Sequence, residues 1–391
     1  MAATAAASSN ISTAPGDTPV SSSSPFFFSL LKLDADGNDV WEWKDDQGGM
    51  EYATAVEVDG EGGIVVAGET FGDYGASNLG RSDFACVKLK DSTNASSAGA
   101  TVQWRWQGGT NGFDVVRAVA FGEKNSVILA GWTTGSFAAL NAGGKDMVAV
   151  GLDGETGDQL WAWQGGTLND DSIEAVTAQR SGEDGLVILA GTSFGNWNRD
   201  QPDLAFSSDM VAVWLVGSGT EIARWQNGTT EDDTLQAAVL QDDGTLVLSG
   251  SSGGRLLAVK LSDVAESAAN GTRQLWRWEG GSNSEDPTAP ERVSTCGAGV
   301  DGQSVIGGFT FSKNNTASLF FAQSLGVGVS ELPGDVPREF PPPSSGSTPT
   351  VVIAVATALA VGIALLGLLE RWLKKKPRTG RRVSSELTRQ M

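Results

Sequence analysis

MVAVGLDGETGDQLWAWQGG, residues 147–166, reads as strand, turn, strand and corner. Met147–Leu152 is an apolar run. Asp153-Gly154-Glu155-Thr156-Gly157 is rich in residues that tolerate positive φ, so the chain reverses there. Gln159–Trp163 resumes an extended run, and Gly165-Gly166 turns again. Working outward, Ile173–Ala178 alternates as a half-buried strand does, and Leu186–Ala190 is the continuous apolar run of a buried one. The same four-strand unit occurs five times. Its Trp elements are Trp41/Trp43, Trp104/Trp106, Trp161/Trp163, Ala223/Trp225 and Trp276/Trp278. Its closing runs are Val65–Gly68, Ile128–Gly131, Ile188–Gly191, Leu246–Gly250 and Val305–Gly308.

Short strands in fours, repeated at this length, predict an all-β fold: a β-propeller of about five to seven four-stranded blades over residues 26–325. The opening strand recurs at Leu30–Leu33, Phe84–Leu89, Val211–Val216 and Leu256–Leu261, with a further fragment at Leu319–Leu325. Propeller rings commonly complete a blade from both chain ends, and that fragment is the candidate for the closure.

The repeats resemble the seven-bladed β-propeller repeat family. The resemblance lies in Asp83-Phe84-Ala85-Cys86-Val87-Lys88-Leu89, in the Trp-x-Trp-Gln-Gly-Gly stretches at 104–109 and 161–166, and in Val187-Ile188-Leu189-Ala190-Gly191-Thr192. It implies a propeller and is nearly silent on activity. Five clear repeats stand here instead of seven, and an incomplete N-terminus is one expectation that accounts for this. Asp153–Trp161 also looks like the blade motif of quinoprotein dehydrogenases, in which the Trp docks blade on blade; that family's catalytic apparatus is not recognisable here.

The chain of 391 residues carries 27 basic and 47 acidic groups, a net charge of −20. The basic excess is concentrated after position 370, at Arg371, Lys374, Lys375, Lys376, Arg378, Arg381, Arg382 and Arg389, so the rest is more acidic still. Such a surface repels phosphate backbones, and no nucleic-acid partner is expected. There is no histidine, which removes a His base, a Ser-His-Asp triad and His-ligated metal sites. No catalytic residue, metal or cofactor is expected, and the chain reads as a non-enzyme. Cys86 and Cys296 sit in strand-like runs, where the plain reading is a small buried hydrophobe; a bridge between them is left open.

Residues 1–25 (Ala, Ser, Thr, Pro) read as disordered, without the basic start and apolar core of a secretory signal. Residues 326–349, with Pro333, Pro337, Pro341, Pro342, Pro343 and Pro349, read as a semi-rigid stalk. Residues 350–369 form an uncharged apolar run long enough to span a bilayer, and 370–391 is a basic tail. Ala354, Ala358 and Gly362 make a small-residue stripe through which two spans, and so a homodimer, can pack. Asn94, Asn227, Asn270 and Asn314, together with Asn10, match the glycosylation sequon on the N-terminal side of the span. The expected function is ligand or protein binding, or adhesion, by an acidic propeller displayed at a cell or organelle surface. The propeller is then extracellular or lumenal and the tail cytosolic; the alternative is a tail-anchored chain with a cytosolic propeller. A propeller-based enzyme, carboxylate-dependent or quinoprotein-like, and a structural surface protein without a discrete ligand are the competing readings. The partner is an unidentified protein or carbohydrate. The repeat tryptophans are expected to pack between blades, and Trp197 and Phe113, taken as loop aromatics outside the repeat, are the better ligand candidates. Asp34-Ala35-Asp36-Gly37-Asn38-Asp39 has the opening spacing of a calcium loop but lacks its closing Glu, so a plain turn is expected.

Overall fold

The computed structural model describes residues 26–34, 37–45, 47, 49–92, 99–179, 185–197, 207–263 and 272–280 in full, and the backbone of 5–6, 291–298, 304–311 and 318–325. The chain is all-β. The 3-10 turn Glu123–Asn125 is the one helical element among the described residues. Strands β1 (Ala5–Ala6), β2 (Ser29–Leu33) and β3 (Asp39–Lys44) form a three-stranded sheet. Four-stranded sheets follow: β4 (Glu51–Val58), β5 (Gly63–Thr70), β6 (Asp83–Ser92) and β7 (Gly99–Gly108); then β8 (Asp114–Phe121), β9 (Val127–Thr133), β10 (Asp146–Leu152) and β11 (Gln159–Gly165). The next is β12 (Asp171–Gln179), β13 (Leu186–Ser193), β14 (Asp209–Val216) and β15 (Glu221–Asn227). After it come β16 (Asp233–Leu240), β17 (Leu246–Ser252), β18 (Arg255–Leu261) and β19 (Gln274–Gly280). A last sheet has three strands, β20 (Glu291–Ala298), β21 (Ser304–Phe311) and β22 (Ser318–Leu325). Repeated antiparallel meanders of this kind are consistent with a propeller.

The sheets do not coincide with the sequence units. Each sequence unit runs apolar strand, Trp strand, alternating strand, Ala-Gly strand, whereas each four-stranded sheet begins on the alternating strand and ends on the Trp strand. The reason is the corner. The connections inside a sheet are antiparallel reversals, while the Gly-containing corner after each Trp strand, Gly-Thr after β7, β11 and β15, leads to the next sheet. Consecutive sheets then meet through their first strands, β4 on β8, β8 on β12, β12 on β16 and β16 on β20. These are called the inner strands below. The Leu319–Leu325 fragment pairs with β21 as β22, and among the described residues it has no ladder with β2 or β3.

The Ala-Gly signature has a backbone cause. Each inner strand bulges opposite it, leaving one extra residue: Thr54, Arg117, Glu174, Gln236 and Ser294. The bulge presses a carbonyl onto the facing glycine. A Cβ on Gly131 would lie 2.0 Å from Val115 O, and one on Gly191 2.0 Å from Ser172 O. No side chain fits there.

An apolar layer fills each of the four junctions from β2–β3 through β16–β19. Between β4–β7 and β8–β11 it contains Val65, Phe84, Cys86, Trp104, Phe121 and Leu129. Cys86 is a free, fully buried thiol whose pKa burial pushes up; the side chain of Cys296 lies outside the described residues. Trp41, Trp104 and Trp161, the first of their pairs, dock on the following sheet. Trp104 covers Gly157, where a Cβ would stand 2.8 Å from its ring, and Trp161 covers Gly219 likewise at 2.7 Å. Trp104 Nε1 and Lys88 Nζ both donate to Gly154 O, at 3.2 and 2.7 Å. Where the fourth unit has Ala223 in the Trp place, the cross-strand partner is Trp214, and its indole is buried in the next layer.

Asp34 accepts the Asn38 N–H at 2.8 Å, and Gly37 takes φ 84°, so Asp34 closes a hairpin turn. Of residues 1–25, Ala5 and Ala6 pair with Lys32 and Leu31; the others, the stalk 326–349, the run 350–369 and the tail 370–391 lie outside the described residues.

Candidate functional site

At the starts of β8, β12 and β16 a buried polar cassette repeats. Gln107 Nε2 donates to Asp83 Oδ2 at 2.8 Å and to Gly72 O at 3.0 Å, while its Oε1 accepts the Tyr74 N–H at 2.6 Å. Gln164 does the same with Asp146 (2.9 Å), Gly135 O (3.0 Å) and Phe137 N–H (2.7 Å). Gln226 follows with Asp209 (2.8 Å), Gly195 O (2.8 Å) and Trp197 N–H (2.9 Å). A hydroxyl then clamps the next carboxylate: Thr110 Oγ1 to Asp114 (2.9 Å), Thr167 to Asp171 (2.9 Å) and Thr229 to Asp233 (2.8 Å). Burial raises the pKa of Asp114, Asp171 and Asp209, partly offset by these donors. The cassettes hold loops and junctions, which is a structural task.

The residues extruded by the bulges lie beside them. Thr54, Arg117 and Gln236 are exposed, and Glu174 is half-buried. Thr54 Oγ1 donates to Val116 O at 2.7 Å, so this position reaches the next inner strand. Arg117 has no hydrogen bond or ion pair among the described residues, yet two carboxyl groups feel its charge. Glu69, at the end of β5, has its pKa raised by burial, against the pull of a Ser82 hydrogen bond and of Arg117. Glu174 is pushed up to about 7 by burial, against Ser172, Arg117, the Thr192 backbone and Lys145. The Ser172 hydroxyl donates to Glu174 Oε1, while Oε2 is enclosed and has no partner. Lys145 Nζ sits 4.4 Å above the ring of half-buried Trp132. Glu69, Arg117, Trp132, Lys145 and Glu174 belong to three consecutive sheets, and the charge of Arg117 acts on both carboxyl groups. These residues supply two cations, two carboxyl groups whose pKa burial raises, and an aromatic face.

Sequence reasoning pointed elsewhere. Trp197 is not a loop ligand residue. Its Nε1 donates to Ser193 Oγ at 2.9 Å and Asp171 Oδ1 at 3.2 Å, its ring stacks on Trp163, and Arg224 covers it at 4.1 Å. It belongs to the repeat after all: Gly72-Asp73-Tyr74, Gly135-Ser136-Phe137 and Gly195-Asn196-Trp197 are copies, a Gly-x-aromatic signal visible in the sequence. Phe113 is half-buried beneath Arg81, 5.0 Å away. Asn227 is exposed, in the place of Gly108 and Gly165, so its sequon threonine is the cassette residue Thr229. Asn94, Asn270, Asn314, Ala354, Ala358 and Gly362 lie outside the described residues. The described residues contain no group of three or more acidic, Cys or His side chains able to hold a metal.

The chain matches no protein-family description. No curated protein matches it either. Among solved structures it is similar to the WD40 domain of Neurospora crassa Pan2, with 11% identity, TM-score 0.41, and 74% of this chain and 69% of that one covered. It is also similar to a protein from Lactobacillus plantarum, with 11% identity, TM-score 0.37 and coverage of 79% and 80%. An exo-β-1,3-galactanase from Clostridium thermocellum aligns at 11% identity and TM-score 0.33, over 76% of this chain and 61% of that one.

Proposed function

We propose that the sheets are blades of a β-propeller of five to seven blades, that this propeller binds a protein partner through its inner strands, and that it performs no catalysis. One observation carries the reading. At β8, β12 and β16 the cassette positions repeat as Asp, Gln and Thr, while the bulge position on the same strands reads Arg117, Glu174 and Gln236. A frame that repeats around one position that varies is the pattern of a recognition surface on a scaffold. The test is a photo-crosslinking residue placed at 236 on β16 or at 160 on outer strand β11, in the full chain. A partner protein is expected to crosslink from 236; crosslinks from 160 alone refute the reading.

In the same reading, residues 350–369 cross a membrane once, the propeller lies outside and the basic tail in the cytosol, and surface display or adhesion is the setting. The support is the uncharged run and the basic residues that follow it. Among the described residues no helix is long and apolar enough to cross a membrane, and 350–369 is not among them. Endoglycosidase treatment of the expressed full chain tests the topology. A mobility shift supports it; no shift, with the propeller digested in intact microsomes, reverses it.

A further inference from the structure

We propose that the loop side of the sheets β4–β7, β8–β11 and β12–β15 docks a second copy of this chain, face to face about a two-fold axis. The contact is made by loops and corners, not by the inner strands, and stands independently of what those strands bind.

Neighbouring strands of each sheet are antiparallel, so their connections fall on two sides. One side holds the loops after β5, β9 and β13 and the corners after β7 and β11. There Leu140 is 87% exposed, Leu168 77%, Leu79 60%, Phe194 46% and Phe71 41%. Among the described residues, the other large exposed apolar side chains all lie on β3, β7, β11, β15 or β19. The five loop residues share one continuous band of backbone. Phe71 begins the loop that carries Leu79, and a Cβ on the next residue, Gly80, would stand 2.3 Å from Thr110 O in the corner after β7. Phe113 of that corner donates its N–H to Thr134 Oγ1 at 2.8 Å, at the start of the Leu140 loop. A Cβ on Gly143 of that loop would stand 2.3 Å from the carbonyl carbon of Leu168. Asn169 Nδ2 donates to Phe194 O at 2.8 Å. Hydrogen bonds also fix the loops internally. Leu79 N–H donates to Asp83 Oδ2 at 3.0 Å and Ala142 N–H to Asp146 Oδ2 at 2.9 Å. Loops already ordered lose little freedom on docking.

Charge selects the occupant. From Phe71 to Phe194, the described residues of this side carry Asp73, Arg81, Lys145 and Asp170, two charges of each sign. Both cations lie against rings, Arg81 5.0 Å from Phe113 and Lys145 4.4 Å from Trp132. The turns on the opposite side differ. Their exposed charged residues, among those described, are Asp34, Glu61, Glu155, Asp158, Asp242 and Asp243, with Lys124 as the one base. A basic partner is drawn to that acidic side. Two copies of a chain with net charge −20 repel wherever acid faces acid. They meet with least penalty through the balanced apolar side, both acidic sides turned away. A two-fold contact presents the same patch on each copy, so the patch must complement itself. Apolar side chains with two acids and two bases around them meet that condition. Depletion of charge among apolar residues is also the composition of an interface centre.

The experiment uses the full chain in membranes of the expressing cell, with an apolar photo-crosslinking residue in place of Leu140 or of Glu155 on the acidic side. A product of twice the chain's mass, containing this chain alone, is expected from 140 and not from 155. Leu168→Asp puts a charge into the contact and should weaken it at least ~10-fold, read as loss of the doubled product from 140 over a series of expression levels. A melting curve matching the wild type confirms that this variant is folded. No doubled product from 140 overturns the inference, as does a doubled product that survives Leu168→Asp. Doubled product from 155 as readily as from 140 overturns it too, because the copies are then brought together elsewhere in the chain. Crosslinks from 140 to lipid or to a different protein, in place of the doubled product, assign the band to that occupant and overturn the inference. The crosslink from 236 is unaffected by any of these outcomes and tests the inner strands separately.

Discussion

Trp214→Ala tests how the junctions are filled. In the other complete sheets and in the first, the position cross-strand from the Trp is Lys or Gly: Lys32 opposite Trp41, Lys88 opposite Trp104, Gly151 opposite Trp161, Lys260 opposite Trp276. In β14–β15 the pair is inverted to Trp214 and Ala223, so one indole per pair is kept. Trp214 is 1% exposed, among Leu246, Leu248, Val259 and Leu261 of the next sheet. Removing such an indole costs the lost transfer free energy plus the cavity, about 3–5 kcal/mol. The partner position supplies the control. Ala223→Trp alone forces a second indole into a filled layer and should destabilise by about 1–3 kcal/mol. In the Trp214→Ala background the same change should instead recover roughly 2 kcal/mol, because the space is vacant. Urea unfolding followed by far-UV circular dichroism measures all four proteins, and the sign reversal of Ala223→Trp is the decisive quantity. A loss below ~1 kcal/mol for Trp214→Ala, or Ala223→Trp acting with the same sign in both backgrounds, refutes the idea that the two positions share one volume.

Gly131→Ala should destabilise by at least ~2 kcal/mol, measured by thermal melting, because its Cβ would stand 2.0 Å from a backbone carbonyl that the bulge holds in place. Gln164→Leu removes one of the two donors to Asp146 Oδ2 and strands the Phe137 and Ala138 N–H groups. A loss of roughly 2–3 kcal/mol in denaturant titration is expected, since each buried group left alone costs about 1–3 kcal/mol. Glu174 binds its proton more tightly folded, at about 7, than its ordinary value of 4.5. Its contribution is therefore complete below the ordinary value and lost as pH rises towards 7, up to roughly 3 kcal/mol. Asp114, Asp171 and Asp209 slope the same way, and Glu174→Gln should remove the Glu174 share of the difference between melting points at about pH 5 and pH 8.

Strand positions were legible because alternation and apolar runs report burial directly. Met147–Leu152 and Leu186–Ala190, read from pattern, lie within β10 and β13. Sheet membership was not legible, because a glycine corner within a sheet and one between sheets look alike in a single chain. The Trp214–Ala223 inversion escaped for a related reason: opposition across a ladder depends on register, and the two positions are nine residues apart in sequence. Part of each cassette is written at a constant local spacing, Gln107/Thr110/Asp114, Gln164/Thr167/Asp171 and Gln226/Thr229/Asp233, whereas the carboxylate that each Gln binds, on Asp83, Asp146 or Asp209, comes from another strand and has no such local signal. Trp197 was misread because its repeat carries Tyr74 and Phe137 in the other copies, and aromatic character, not identity, is what the loop keeps.

The bulge is where the scaffold becomes a site. The residue facing it must be glycine, because the carbonyl of Val115, Ser172 or Thr234 occupies the space of a Cβ at Gly131, Gly191 or Gly250. The extra residue is under the opposite condition. It has no ladder partner, so its side chain can change without loss of register. One position is thereby fixed and its neighbour released in every repeat. That release permits a threonine in one sheet, an unpaired guanidinium in the next and an enclosed carboxyl group in the third, on strands that pack directly against one another. A surface assembled from the released positions can acquire specificity while the cassettes beside it, each buried and hydrogen-bonded, keep the sheets in place. Arg117 and Glu174 are two products of that arrangement, and their chemistry follows from which residues the bulges carry.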